Sequence, residues 1–298
     1  MEGNNSSQPS QQNPTDNALY QNPDSQVFQN SQDQSGQPLM RTQAELDELQ
    51  IQIRLNEDYQ NQLKEEIEAS QPFISDMQDI QLVKHEFSDS KFERCFEELQ
   101  KRYTRIRRLR RDGNCFYRAF LFQVFEHFIV DKNDTENYEK VLKVLEGSKQ
   151  DLMGIGYDEI AVEDFYDIFL EQFKKLKEIE PEKASEHLMK LLCNKEEAVY
   201  LIMYARFLTA CHLKQNAIMF EDFVGDVPSF CMREVEQVDV ECDQPQIIAI
   251  TSYLGLGVEI NSVKADGGIE IINIPEEGYS GFRAKLFYVP GHYEALYQ

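Results

Sequence analysis

Asp112-Gly113-Asn114-Cys115-Phe116-Tyr117-Arg118-Ala119 is a polar, turn-forming run that stops at a single cysteine. The residues after it, Phe120-Leu121-Phe122-Gln123-Val124-Phe125-Glu126-His127-Phe128-Ile129, are apolar on nearly every side. A helix apolar all round is a buried one, so the pattern drives a helix through the core with Cys115 at its N-terminal tip. The unpaired amides and positive dipole end of a helix N-terminus favour an anion there. They draw a thiol toward the thiolate, its nucleophilic form. Gly113 and Asn114 suit a sharp backbone turn whose amides could hold an oxyanion. Alone, these residues are also consistent with an ordinary Asp-Gly turn and a merely buried cysteine.

The far end of the chain supplies the partner that a catalytic reading needs. Phe287-Tyr288-Val289-Pro290-Gly291-His292-Tyr293-Glu294-Ala295-Leu296-Tyr297 is a β pattern interrupted by Pro-Gly. Alternate residues of a strand share a face, which sets His292 beside Glu294. A cysteine opening a buried helix, with a distant histidine and an acidic neighbour on a strand, is the construction of a cysteine hydrolase.

In order and in residue type, the stretch from Asp112 to Ala119 followed by Pro290-Gly291-His292-Tyr293 resembles the ovarian-tumour (OTU) family of cysteine deubiquitinases, and within it the otubains. The similarity runs from about Tyr59 to the C-terminus and includes Gln246-Ile247-Ile248-Ala249-Ile250. It implies a thiol isopeptidase acting on ubiquitin and polyubiquitin, with a lysine-48 linkage preference. Cys115 would be the nucleophile and His292 the base. Glu294 would be the third member, at a position where the family carries Asp or Asn. The resemblance further implies that Asp112 organises an oxyanion loop with the amides of Gly113, Asn114 and Cys115. Tyr288 and Tyr293 would line the channel for ubiquitin's tail, although both could equally pack in the core. No metal or cofactor is called for.

The net charge of −23 over 298 residues opposes general nucleic-acid binding and favours basic partners. Six cysteines without a C-x-x-C pair suggest no zinc framework and a reducing compartment. With no secretory pattern and no apolar run of membrane-spanning length, the expectation is a cytoplasmic, also nuclear, monomer without membrane or nucleic-acid partners.

Residues 1–40, rich in Gln, Asn, Ser and Pro and free of Lys and Arg, are expected to be a disordered tail. Residues 41–72 form the next unit, a helical arm. Thr42 and Glu45 fit a capping box, and Leu46, Leu49, Ile53, Leu63 and Ile67 follow a heptad spacing broken by Asn56 and Gln60. The helix should end near Ser70, before Pro72. The arm could be a coiled-coil segment, a helix packed on the domain, or an element that meets a partner. The resemblance assigns it to ubiquitin, and the competing reading is a non-catalytic inhibitor of ubiquitin-conjugating enzymes.

The catalytic domain is placed at 73–298. A helix capped by Ser90 and Glu93 aligns Phe92, Cys95, Phe96, Leu99 and Tyr103 on one face. Lys101 to Arg111 holds seven basic residues in eleven; in acidic surroundings it is expected to be a solvated lead-in to the turn. Helices follow around Tyr138–Leu145, Val162–Leu176 and Glu196–Leu213, and His127, His187 and His212 on helical patterns receive no catalytic role. From Gln246 come a short helix and then strands at 258–263, 269–272, 283–289 and 292–297. Helices first and strands last is an α+β arrangement. The resemblance makes it a central, mainly antiparallel sheet packed between helical layers.

Overall fold

The computed structural model describes residues 43–84 and 90–298. The expected tail at 1–40 and the Thr42 cap lie outside the described residues. The first helix, α1, runs Gln43–Ser70, as its spacing and Pro72 predict. By contacts α1 is shared between two units, one up to Asn61 and the other from Gln62 to the C-terminus. In the first of these, Leu46, Ile51, Ile53, Leu55 and Tyr59 are exposed. Among the described residues no helix is long and apolar enough to cross a membrane.

The second unit is built on a six-stranded sheet. Its strands are β1 (Gln78–Asp79), β2 (Arg105–Arg107), β3 (Gly257–Val263), β4 (Ile269–Ile274), β5 (Arg283–Val289) and β6 (His292–Tyr297). Their order across the sheet is β1-β2-β6-β5-β3-β4. Every neighbouring pair is antiparallel except β3 with β5, which run parallel. Alternation splits the strand residues between two cores. Ala284, Leu286, Tyr293 and Ala295 face the larger core. Phe287, Val289 and Leu296 face a smaller one closed by α2 (Ile80–Lys84) and α3 (Ser90–Leu99). A sheet covered on both faces must be apolar on both, and that accounts for the apolar run Leu286-Phe287-Tyr288-Val289 in β5.

The larger core centres on α4 (Cys115–Val130). Phe116, Phe120, Phe122, Phe125, Phe128 and Ile129 are all buried, which is what an all-round apolar helix requires. Around it pack α5 (Thr135–Gly154), α6 (Glu159–Lys175), α7 (Ala184–Cys193) and α8 (Lys195–Gln215). Asp158 and Asn194 accept from the first free amides of α6 and α8, satisfying donors that helix starts otherwise leave unpaired. Beyond α8 come α9 (Ala217–Val224), α10 (Val227–Phe230), a π-turn at Cys231–Val235 and α11 (Gln244–Leu254).

The basic run departs from expectation. It contributes β2, and Arg107 and Arg110 are buried rather than solvated. The cause is the planar guanidinium, which tolerates burial where carbonyls and ring faces meet it. Arg107 donates to Ser75 O at 2.9 Å and Ser185 Oγ at 2.7 Å while lying over Phe122. Arg110 donates to Gln71 O at 2.8 Å and lies 3.8 Å from the Phe73 ring centre.

Phe125 makes edge-on contacts with Phe169 and Phe173 of α6, at centroid distances of 5.9 and 6.1 Å. Phe125→Ala leaves a cavity at the centre of this packing and should cost about 3–5 kcal/mol of stability. Urea unfolding followed by circular dichroism measures it; a loss below about 1 kcal/mol would mean that α4 can slide to fill the space.

Candidate active site

Cys115 is the first residue of α4 and is buried. The turn before it is fixed from three sides. Asp112 accepts from the Asn114 amide at 3.0 Å and pairs with buried Arg118, one turn into the helix, at 2.9 Å. Gly113 has φ of +73°, and a Cβ there would fall 2.2 Å from the Asp239 carbonyl, so the residue cannot carry a side chain. Asn114 donates from Nδ2 to Asp239 Oδ1 at 2.9 Å and accepts at Oδ1 from Arg206 at 2.7 Å. Arg206, in the middle of α8 and fully buried, also donates to Gly113 O, Val240 O and Val235 O. One guanidinium thus ties the cysteine turn to the segment leading into α11.

The opposite wall is β6. Pro290-Gly291 closes the β5–β6 hairpin, with Gly291 at φ of +74°. His292 follows as the first residue of β6 and is 1% exposed. The next amide, Tyr293 N–H, donates to Cys115 Sγ at 3.4 Å. His292 Nε2 lies 3.1 Å from Glu294 Oε1. The other ring nitrogen, Nδ1, is buried and makes no complete hydrogen bond among the described residues, which leaves it as the atom open to a thiol proton. Catalytic contacts are often loose before substrate arrives.

Burial by itself would lower the His292 value. The Glu294 carboxylate and Cys115 overcome it and push the ring up to about 9. Glu294 is opposed by burial in the same way, but His292, Arg108 and the Leu109 amide hold it below the ordinary carboxylate value. Arg108 Nε donates to Oε1 at 2.8 Å and Leu109 N–H to Oε2 at 2.5 Å. The longer Glu side chain therefore reaches the ring. Glu241 also faces the site, its carboxylate lying over Gly291; desolvation raises it, against the pull of His292 and Arg111.

Cys115, His292, Glu294 and Asp112 come together in one place; two other expectations need correction. The Asn114 amide is committed to Asp112 and its side chain to Asp239 and Arg206, so Asn114 is not an oxyanion donor here. The amides of Gly113 and Cys115 remain. Tyr293 does not line a channel: it is 5% exposed and packs against Phe116 and Tyr288, because its side chain points to the α4 side of the sheet. Tyr288 is only half-buried. Sequence reasoning missed Arg206 and Arg108. Arg206 carried a weak signal, a lone cation within the apolar stretch Tyr200–Leu213.

A family model described as Peptidase C65 Otubain matches residues 66–298. Human ubiquitin thioesterase OTUB1 is 30% identical over 245 residues, spanning 80% of this chain and 88% of that protein. The Arabidopsis thaliana OVARIAN TUMOR DOMAIN-containing deubiquitinating enzyme 1 is 29% identical over 261 residues, 80% of this chain and 85% of that one. Among solved structures, a complex of ceOTUB1, ubiquitin aldehyde and UBC13~Ub aligns with a TM-score of 0.71 at 26% identity, covering 80% of this chain and 97% of that chain. An h/ceOTUB1–ubiquitin aldehyde–UBCH5B~Ub complex aligns at 0.73 and 25% identity, over 83% and 98%.

The raised His292 value has a definite sign. A folded-state value of about 9 against an ordinary 6.5 means that the charged ring adds stability below pH 6.5 and loses it as pH rises through 9. Glu294→Gln removes the largest lifting charge, so the ring midpoint should move down, toward neutrality. Histidine-ring NMR across the pH range measures the shift; an unmoved midpoint would assign the lift to Cys115 alone.

Proposed function

The chain belongs to the otubain family of cysteine peptidases, and on that premise we propose that it hydrolyses the isopeptide bond of lysine-48-linked polyubiquitin through an acyl-enzyme on Cys115. It is a cysteine-type deubiquitinase. The observation that carries the mechanism is the His292 ring held at Nε2 by Glu294 while the neighbouring Tyr293 amide meets the Cys115 sulfur.

In the proposed cycle, His292 Nδ1 takes the Cys115 proton and the thiolate attacks the carbonyl carbon of ubiquitin's C-terminal glycine. The amides of Cys115 and Gly113, at the positive end of α4, face the developing oxyanion. The imidazolium returns its proton to the departing lysine amine as the C–N bond breaks, leaving a thioester. Water, deprotonated by His292, then hydrolyses the thioester and regenerates the thiol. Glu294 keeps the ring's Nε2 proton in place and stabilises its cation. Asp112, by gripping Asn114 N–H and Arg118, keeps the turn in register with the helix.

A second reading draws on α1. The solved complexes contain UBC13~Ub and UBCH5B~Ub beside otubain and ubiquitin aldehyde. In this chain Ile51, Leu55 and Tyr59, at i, i+4 and i+8, share one exposed face of α1, and Leu46 and Ile53 are exposed on the other side. An exposed apolar face on a helix is the form in which a helix meets a partner. The arm is proposed to contact either the second ubiquitin of a chain or a ubiquitin-charged conjugating enzyme.

Two experiments test these readings. Cys115→Ala should lower kcat by roughly 10⁴-fold or more with ubiquitin affinity retained, and ubiquitin bearing a C-terminal electrophile should label Cys115. Labelling of Cys95 or Cys211 instead would remove the assignment. For the arm, the deletion should end at residue 61, because Gln71 and Phe73 hold Arg110 and Arg111. Loss of residues 1–61 should raise KM for di-ubiquitin and leave ubiquitin with a small leaving group unaffected. Damage to both substrates would make the segment part of the fold; damage to neither would favour the conjugating enzyme.

A further inference from the structure

Glu294 stands where the resembled family carries the shorter Asp or Asn, and its side chain has one more rotatable bond to fix. A buried carboxylate with one partner would be poorly oriented and costly to keep ionised. The sheet supplies the remedy. The last rung between β2 and β6 is Arg107 opposite Ala295, so the next position in the same register sets Arg108 opposite Glu294. Directly opposed residues of unlike charge are the favourable cross-strand arrangement. Here the pair closes: Arg108 Nε reaches Oε1 at 2.8 Å, and the neighbouring Leu109 amide takes Oε2. Both donors come from one short piece of chain, so they define the plane of the carboxylate together.

That piece of chain is itself held. Arg108 N–H donates to Ser75 Oγ and Ser75 N–H donates to Arg108 O, each at 2.8 Å. Arg110 N–H donates to Phe73 O at 3.1 Å. The guanidinium therefore projects from a backbone anchored on both sides toward an oxygen that also faces His292 Nε2.

We infer that Arg108 is a positioning residue of this active site: its guanidinium holds the Glu294 carboxylate in the orientation that the His292 ring needs, and Arg108 and Glu294 act as one unit in place of a shorter acid. The inference rests on the reading of Cys115 and His292 as the reacting pair. Arg108 touches no reacting atom; it acts through Glu294. It also tempers the carboxylate. Sharing Oε1 with a permanent cation weakens the pull of Glu294 on the imidazolium, so the ring gives up its proton to the leaving amine more readily. The charged groups that bear on His292 are Glu294 on its own strand, Cys115 on α4 and Glu241 on the segment before α11. Of these, Glu294 is the one that forms an ion pair with Arg108 among the described contacts.

The test is a double-mutant cycle on the full chain with ubiquitin carrying a small fluorogenic amide. Arg108→Gln and Arg108→Lys are each made in the unsubstituted protein and in Glu294→Ala, and kcat and KM are followed from about pH 6 to 10. Arg108→Gln should lower kcat about 10-fold, the worth of one charge-assisted hydrogen bond, with KM little changed. Its alkaline limb in kcat/KM should move to higher pH, because an untempered carboxylate holds the imidazolium proton longer. Arg108→Lys, keeping the charge but not the planar donor, should leave the limb in place and recover part of kcat. In Glu294→Ala the same substitutions should change kcat by less than about twofold. Equal losses in both backgrounds overturn the inference, as does a lowered melting temperature with kcat and the limb unmoved. Turnover that survives Cys115→Ala overturns the reading of the reacting pair, and the inference with it, without any change at Arg108.

Discussion

The register of α4 against β6 is the constraint on which the rest depends, because Cys115 and His292 come from opposite ends of the domain. Hydrophobic burial cannot set it. The effect scales with apolar area and has no direction, and a helix apolar on every side gains nearly the same burial after a small slide or rotation. Gln123 removes that freedom. Its amide nitrogen donates to Lys285 O and Leu296 O, and its oxygen accepts from Lys285 N–H at 2.6 Å. The β5–β6 ladder stops at Leu286 opposite Ala295, so Lys285 and Leu296 are the pair just past its last rung. One side chain two helical turns beyond Cys115 replaces that rung. Tyr117 adds a second pin, its hydroxyl donating to Thr209 on α8 at 3.2 Å.

Arg206 does for the turn what Gln123 does for the helix. It is a fully buried cation with carbonyl and amide oxygens as its hydrogen-bond acceptors, and it lies 4.6 Å from the centre of the Tyr117 ring. Burying a charge is costly unless its hydrogens are satisfied; the two terminal nitrogens of Arg206 are bonded, and its buried Nε has no hydrogen-bond partner among the described residues. Here the cost is met by binding together the cysteine turn and the segment around Asp239 and Val240, stretches that helix packing alone would leave independent. The tight fit of Gly113 against the Asp239 carbonyl follows from that closure. Asp239 itself sits at φ of +65°, a backbone state that Asp tolerates better than most residues.

Much of this was legible in the sequence for reasons that also explain the misses. The turn ahead of Cys115 announced itself by Asp-Gly-Asn, and the buried helix by the want of a polar face. The strands at 257–263 and 283–289 followed from β-branched and aromatic alternation, within a residue of where they lie. Alternation says which residues share a face, not which strand lies alongside; the parallel pairing of β3 with β5 was therefore not readable. It also left open which face of β6 met α4; the resemblance put Tyr293 in a channel with the core as the alternative, and the core is where it lies. The basic run misled because composition counts charges and not acceptors. Arg107, Arg108 and Arg110 each find carbonyl, carboxylate or ring partners supplied by residues distant in the chain.

The charges of the site, taken in order, explain why so polar a cluster can be buried at all. With the proton on the ring, the sequence is Cys115 thiolate, His292 imidazolium, Glu294 carboxylate, Arg108 guanidinium. Among these four groups every charge has an opposite neighbour, with the Glu241 carboxylate beside them over Gly291. With the proton back on sulfur, Glu294 and Arg108 still pair. Transfer between Cys115 and His292 therefore never creates a net charge in a low-dielectric interior, where an uncompensated one is most expensive. Were Arg108 absent, the full pull of an ionised Glu294 would fall on the imidazolium, which would keep its proton to higher pH. A longer carboxylate is thus workable here because Arg108 shares and orients it, and the thiol–imidazole pair can exchange its proton without altering the charge of the core that surrounds it.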